Sequence, residues 1–171
     1  MRKALTTFVG IALLIGAAGL VFSQRQRASP HEKQDFKVSG KKITIEYGRP
    51  YKKGRDIFGG LEAYGKVWRT GADEATTFST EADLMVGSLH VPAGTYSLFT
   101  LPGETEWTLI LNKVASQWGA FKYDEKMDLG RTKMKVQKVP VVEQLTINIT
   151  PQGELSVAWD TTKATVPITV H

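Results

Sequence analysis

Apolar and polar side chains alternate with a period of two along most of the chain after residue 36. In the first run, Ile43, Ile45 and Tyr47 alternate with polar residues. Successive side chains of a β-strand point to opposite faces, so such a run predicts a strand with one buried face and one wet face. This period predicts an all-β protein. The same alternation recurs in runs that begin at Trp107, Met134, Leu145, Leu155 and Val166.

Glycine and proline separate these runs. A chain reversal needs either a positive φ, which glycine adopts easily, or the φ of about −65° that proline fixes. Strands of about five to eight residues joined by such turns predict an antiparallel β-sandwich, here jelly-roll-like. Residues 113–129 show no sustained helical period and are predicted to form a long loop that packs through its aromatic residues. The predicted turns are Val38–Lys41, Met85–Ser88, Pro92–Gly94, Pro102–Glu104 and Pro151–Gly153.

One segment is apolar on both faces. Tyr96 and Leu98 point to one side, whereas Phe99 and Leu101 point to the other. This pattern predicts a central strand that is buried on both faces. Ile110 interrupts the polar face of another run, which indicates partial cover there as well.

The N-terminus has the pattern of an export signal or a membrane anchor. Arg2 and Lys3 precede an uncharged stretch, residues 4–22, that is apolar on every face. Cleavage after Ser23 would fit a signal peptide, and about 19 helical residues at 1.5 Å each would nearly cross a hydrocarbon core of about 30 Å. We therefore predict an apolar leader helix at 1–23, a flexible tether at 24–35 and one β-sandwich domain at 36–171, exported to the periplasm or the outer face of the inner membrane.

Composition narrows the functional classes. The 171 residues include 22 Lys and Arg against 17 Asp and Glu, a net charge of +5, without the dense basic run typical of nucleic-acid binding. The chain has no Cys, so it can form no disulfide and offers no thiolate nucleophile. His31, His90 and His171 lack the paired spacing of metal ligands. We therefore predict no nucleic-acid partner, no metal site and no cofactor.

Several motifs in fixed order resemble a bacterial family catalogued as domain of unknown function 2911. The resemblance covers about residues 29–170, which is nearly the whole chain after the leader. It implies an exported bacterial β-domain and brings no activity with it. The motifs are Tyr47-Gly48-Arg49-Pro50, Lys53 to Gly59, Tyr64 to Ala72, Glu74-Ala75-Thr76-Thr77, Pro92 to Phe99 and Gln117-Trp118-Gly119.

A cluster of basic and aromatic residues is the predicted ligand-binding surface. Arginine binds carboxylate or phosphate groups with two parallel hydrogen bonds, and aromatic rings stack on planar groups or sugars. An alternative interpretation is structural: Trp68 would belong to the core, and Arg69 would pair with Asp73 or Glu74. The residues predicted to bind the ligand are Arg49, Arg55, Trp68, Arg69 and Trp118.

The sequence predicts no reaction. Its primary interpretation is an exported envelope module that binds an anionic small molecule or a glycan, with membrane contact only through residues 4–22 if the leader is retained. The alternative is a hydrolase that uses Asp73 or Glu74 in a loop-built cleft, because carboxylates can divide acid and base roles. A third interpretation is a purely structural attachment to the envelope.

Overall fold

The computed structural model describes residues 28–171, so the predicted leader and most of the tether lie outside the described residues. Nine strands and one short 3₁₀ turn, Glu125–Met127, make up the regular structure of this part of the chain. The strands are β1 (His31–Val38), β2 (Lys41–Gly48), β3 (Ala72–Thr80), β4 (Leu84–Val86), β5 (Leu89–Val91), β6 (Gly94–Leu101), β7 (Glu106–Asn112), β8 (Asp128–Ile149) and β9 (Glu154–Val170).

All nine strands belong to one antiparallel hydrogen-bonded sheet. Their order is β1-β2-β3-β6-β7-β8-β9-β4-β5. The expected all-β antiparallel fold is therefore confirmed. Each predicted glycine or proline turn lies between two successive strands or at a strand start.

The sheet folds over because the long hairpin of β8 and β9 bends in the middle. Its register shifts between Lys138 and Thr146, opposite Asp160, whose φ is +53°. Beyond the bend, the turn before β9 meets the end of the same strand, where the backbone N–H of Ile168 donates to the carbonyl of Gly153. These residues would lie about 50 Å apart in a straight strand. The bend thus gives one continuous sheet two layers. The predicted runs that begin at Met134 and Leu145 both belong to β8, and those that begin at Leu155 and Val166 both belong to β9.

One apolar core fills the space between the layers. Tyr47 of β2 and Ile147 of β8 meet across it, and the Ile147 backbone N–H donates to the Tyr47 hydroxyl at 3.0 Å. The ring of Trp68 stacks on Trp159 with centroids 6.0 Å apart, and Phe58 contacts both indoles edge-on. Large aromatic side chains therefore dominate the core at the end where the β2–β3 connection closes.

A second, smaller apolar cluster lies on the outer face of the sheet. Phe99 of β6 and Ile110 of β7 are fully buried there, under Ala120 and Tyr123 of the loop that follows β7. The prediction that residues 96–101 form a strand buried on both faces is confirmed. The predicted long loop is also confirmed, since it provides this cover.

The β-domain begins earlier in the chain than the sequence predicted. Residues 31–35 were predicted to end the flexible tether, but they form most of β1 and pair with residues 44–48 of β2. The tether prediction is wrong there because alternate residues of this segment are half-buried against the sheet. No helix within residues 28–171 is long and apolar enough to cross a membrane.

Candidate functional site

The connection between β2 and β3 borders a cavity of about 470 Å³, here called the Arg69 cavity. Residues 49–71 form the connection, and Trp159 of β9 completes the wall. Connections of this length inside a compact domain are often functional. The lining residues are Ala28, Ser29, Pro50, Tyr51, Lys53, Arg55, Leu61, Glu62, Arg69, Gly71, Ala72, Asp73 and Trp159.

Short bridges hold this connection in place without regular secondary structure. Tyr51 pairs with Gln144 of β8, and Trp68 pairs with Thr100 of β6. Gly48, the last residue of β2, packs against the carbonyl of Ala72, and a Cβ at this glycine would collide with that carbonyl. The residues of the cavity wall are therefore tied to both layers of the sheet.

Backbone strain is concentrated around the Arg69 cavity. Lys53 and Asp73 line it with φ of +49° and +64°, and Thr70 and Asp160 adjoin lining residues with φ of +55° and +53°. A positive φ is unusual for any residue other than glycine, above all for a β-branched threonine. The buried Thr70 hydroxyl lies 3.0 Å from that of Thr100, which fixes this conformation. Strained residues of this kind cluster at functional sites, so their position marks the cavity as the candidate site.

Two oppositely charged groups of the cavity wall do not pair with each other. The buried Nε of Arg69 and the buried Oδ2 of Asp73 have no hydrogen-bond partner among residues 28–171. Within the same residues, no ion pair joins Arg69 to Asp73 or Glu74. The alternative interpretation of an internal Arg69 ion pair is therefore wrong.

Glu62 is a residue of the cavity wall whose pKa departs from its ordinary value. Burial raises the pKa of its carboxyl to about 7, although Arg69 and Arg55 lower it in part. Desolvation penalises the charged form of a carboxyl group, and here this effect exceeds the attraction of the two guanidinium groups. Glu62 therefore exchanges a proton near neutral pH, while two arginines keep the surrounding wall positive.

The structure places Arg49 in a separate environment. Its Nε donates to the carbonyl of Leu145 at 3.0 Å, Nη2 donates to the Thr146 hydroxyl at 3.0 Å, and Nη1 pairs with Glu32. Its guanidinium also lies 5.9 Å from the Tyr47 ring centroid. These contacts connect β1, β2 and β8, so they assign Arg49 a structural role.

The remaining predicted site residues lie in three different surroundings. Arg55 lines the Arg69 cavity and donates from Nε to the carbonyl of Lys52 at 2.9 Å. Trp68 is 3% exposed and lies in the core, where it stacks on the lining residue Trp159. Trp118 is 60% exposed and does not line the cavity, although it pairs with Glu74 beside Asp73. Of the five predicted residues, only Arg55 and Arg69 meet at one cavity, and their ligand-binding role stays a prediction.

The two acidic residues proposed for hydrolysis face different places. Asp73 lines the Arg69 cavity. Glu74 lines another cavity with Glu46 and His31, and its Oε2 lies 4.0 Å from the His31 Nδ1. The pair therefore cannot act together on one small substrate.

Sequence reasoning missed Glu62. It follows a Gly59-Gly60-Leu61 segment that shows no hydrophobic period, and it carries no motif that distinguishes it from a solvated surface carboxylate. Its burial depends on the closure of the β2–β3 connection over Trp159, about 100 residues along the chain. No local signal could have found it.

Comparison with known proteins gives a family and no activity. No curated protein and no solved structure matches the chain. The model of the family described as "Protein of unknown function (DUF2911)" matches residues 29–168, which include all nine strands except the last two residues of β9, and the whole Arg69 cavity except Ala28. The chain therefore belongs to the DUF2911 family, as its motifs predicted.

Proposed function

We propose that this protein is an exported binding module whose Arg69 cavity holds a small acid that also carries hydroxyl groups, such as a sugar acid at the end of an anionic glycan. The proposal depends on one observation. The Arg69 Nε and the Asp73 Oδ2 are both buried at the same cavity without a hydrogen-bond partner among residues 28–171.

An unpaired buried donor or acceptor costs about 1–3 kcal/mol, and more if it is charged. A ligand that supplies a partner for each group would recover this cost. A carboxylate, sulfate or phosphate oxygen would accept from Arg69, and a hydroxyl would donate to Asp73. These two needs together favour a hydroxylated acid over a simple anion or a neutral sugar.

The rest of the cavity wall fits the same ligand class. Lys53 and Arg55 add positive charge, whereas Tyr51, Leu61 and Trp159 add apolar surface. Small-molecule sites usually combine apolar walls with a few convergent polar groups in about 300–1,000 Å³. A cavity of about 470 Å³ is large enough for a single sugar acid.

Calorimetric titration with D-glucuronate, D-galacturonate and D-glucose tests this proposal. We expect at least one of the acids to bind and glucose to bind at least tenfold more weakly, because glucose offers no anion to Arg69. Arg69→Gln should weaken binding of the acid at least tenfold, as the loss of a charged hydrogen bond implies.

Lys66→Gln is the matched control, because it also removes one positive charge from the β2–β3 connection but is exposed and lies outside the cavity wall. It should leave the affinity for the acid within twofold of the wild-type value. Failure of both acids to bind at millimolar concentration, or equal binding by Arg69→Gln, would contradict the proposal.

A hydrolase is the second candidate, and the position of Asp73 favours it. This carboxylate opens onto the cavity instead of pairing with Arg69, and Glu62 lines the same wall with a pKa of about 7. A carboxyl group with a raised pKa can act as the acid, and a second carboxylate at the same cavity can act as the base.

Hydrolysis of 4-nitrophenyl β-D-glucuronide would distinguish the two functions. If the hydrolase proposal is correct, Asp73→Asn should abolish hydrolysis, and Glu74→Gln should retain it because Glu74 lies at another cavity. A wild-type protein that binds glucuronate but releases no 4-nitrophenol would be a binding module only.

A further inference from the structure

The loop after β7 presents two large aromatic side chains to solvent. We call residues 113–127 the aromatic loop; Trp118 is 60% exposed and Phe121 is 85% exposed. The Phe121 ring lies against the buried Gly119, which follows Trp118 directly in the chain. Exposed aromatics at the tip of a loop often mark a contact surface.

The backbone between these aromatics is firmly held. The Gly119 N–H donates to the Asp73 carbonyl at 3.0 Å, and the Ala75 N–H donates to the Gln117 carbonyl at 2.8 Å. Ala120 and Tyr123 pack against the outer-face apolar cluster described above. The exposure of Trp118 and Phe121 is therefore built into a fixed loop, which lowers the entropy cost of binding through them.

The acidic residues in and beside the aromatic loop have internal partners. Asp124 accepts from the Lys126 N–H at 3.0 Å, and Arg131 lies 3.4 Å from Glu125 and 2.9 Å from Asp128. Arg131 thus offsets one of the carboxylate charges of the segment.

The lysines of the same loop have no such partners. Lys113, Lys122 and Lys126 are exposed, and no ion pair or hydrogen bond engages their ammonium groups within the described part of the chain. The loop thus carries two exposed aromatic rings and three unpaired cations. This combination is complementary to an anionic lipid surface, where aromatic rings enter the interface and lysines meet the headgroups.

The chain also enters the domain beside this loop. His31 at the start of β1 lies 4.0 Å from Glu74, and Glu74 pairs with Trp118. Ala28 and Ser29, which lead back toward the apolar residues 4–22, line the Arg69 cavity with Asp73, and the Asp73 carbonyl accepts from the Gly119 N–H of the aromatic loop. A membrane that holds the N-terminal stretch would be within reach of Trp118 and Phe121.

We propose that the aromatic loop docks on an anionic phospholipid bilayer, with Trp118 and Phe121 in the interface and Lys113, Lys122 and Lys126 at the headgroups. This inference is independent of the Arg69 cavity, which Trp118 does not line.

The test uses the full chain with vesicles of phosphatidylcholine that contain 30% phosphatidylglycerol, both lipids brominated near the headgroup end of the acyl chains. Brominated lipid quenches only indoles within the bilayer, and the other three tryptophans are buried in the protein. Brominated lipid lowers the fluorescence of the wild type by a certain amount. In Trp118→Phe and in Phe121→Ala, this decrease should be at most half as large.

Charge is tested separately. Replacing Lys113, Lys122 and Lys126 together by Gln should reduce the Trp118 quenching at least fivefold, since each lysine near an anionic surface contributes about fivefold to partitioning. Pure phosphatidylcholine vesicles should give the same reduction with the wild type. Lys66→Gln, with one exposed lysine removed outside the loop, should be quenched as the wild type is.

These comparisons hold whether or not residues 4–22 are retained, because every variant has the same N-terminus. Quenching that is equal in the wild type and Trp118→Phe would overturn the proposal. Quenching that is independent of lipid charge and of the three lysines would overturn it as well.

Discussion

Two arginines of the same connection have opposite surroundings. The Arg49 guanidinium donates to the Leu145 carbonyl and the Thr146 hydroxyl and pairs with Glu32. The buried Nε of Arg69 has no hydrogen-bond partner among residues 28–171. Protein groups therefore already use the hydrogen-bonding capacity of Arg49, whereas Arg69 retains some for a ligand.

The first prediction concerns Arg49. We expect Arg49→Ala to lower the free energy of unfolding by about 2 kcal/mol, because hydrogen bonds to charged groups contribute about 1.5–3 kcal/mol. The control Lys66→Ala should stay within about 0.5 kcal/mol of the wild type, as exposed side chains without partners do. Urea denaturation followed by fluorescence measures both. Equal stability of the two variants would show that the Arg49 contacts contribute little.

The second prediction concerns Glu62. Its pKa of about 7 in the folded protein exceeds its value of 4.5 in the unfolded chain. The folded state therefore binds more protons between these values, and this contribution to stability is complete below pH 4.5 and is lost as the pH rises through 7. Glu62→Gln carries no such charge, so it should melt at a higher temperature than the wild type at pH 8.

The measurement is the melting temperature of both proteins by circular dichroism at pH 4, 6 and 8. The difference between the variant and the wild type should grow with pH across this range. Parallel profiles would show that Glu62 titrates as an ordinary surface carboxylate.

The sequence indicated which residue types could form a binding site, but not which of those residues lie together in the folded protein. Arg49, Arg55 and Arg69 look alike in a one-dimensional pattern. Their roles are decided by partners that are distant in sequence, such as Leu145 for Arg49 and Trp159 for the wall that adjoins Arg69. Such partners depend on the register of the sheet, which alternation alone does not specify.

At the scale of elements, the bent hairpin of β8 and β9 determines the architecture. Alternation predicted strands at residues 133–137 and 145–150, and both lie in β8 apart from residue 150. The sequence did not predict that they form one strand, because Pro140 lies between them, inside the first register shift, and a proline is typical of a strand end or a bulge. Asp160 on the opposite strand has a positive φ that no glycine or proline signals in the sequence.

The third prediction concerns the turn that closes this hairpin. Gly153 has a φ of +88°, and a Cβ there would collide with the carbonyl of Ile168. Gly40, in the turn between β1 and β2, has a φ of +79° but nothing within 4 Å of a Cβ. Both Ala variants incur the strain of a positive φ, about 1–2 kcal/mol, but only Gly153→Ala also forces the layers apart.

Chemical denaturation of the two Ala variants measures this difference. Gly153→Ala should lose at least about 2 kcal/mol more stability than Gly40→Ala, because the carbonyl belongs to rigid strand backbone. Equal losses would mean that the turn can move away from β9 at little cost.

At the scale of the whole molecule, β1 is an integral part of the sheet. It forms eight residue pairs with β2, its Val38 lies in the core, and its Glu32 pairs with Arg49. The strand that the sequence assigned mainly to a tether thus stabilises both layers.

The fourth prediction follows from these contacts. A chain that begins at residue 28 keeps all nine strands and should unfold in one cooperative transition. A chain that begins at residue 39 loses Val38 and the Glu32 partner of Arg49, about 3–5 kcal/mol in total, which is a large part of the 5–15 kcal/mol of a typical domain. Thermal melts of the two chains should differ by at least about 6 °C, at about 2–4 °C per kcal/mol for a domain of this size, and coincident melts would contradict the prediction.

Because the sheet is not closed into a barrel, β1 and β5 each have one neighbour within residues 28–171. A strand edge of this kind can recruit a second copy of the protein and start aggregation. On β1, however, Lys33, Asp35 and Lys37 are exposed at every second position. Antiparallel pairing of two copies about Asp35 would bring the two Asp35 carboxylates together and set Lys33 opposite Lys37, so like-charge repulsion opposes pairing of this edge in that register.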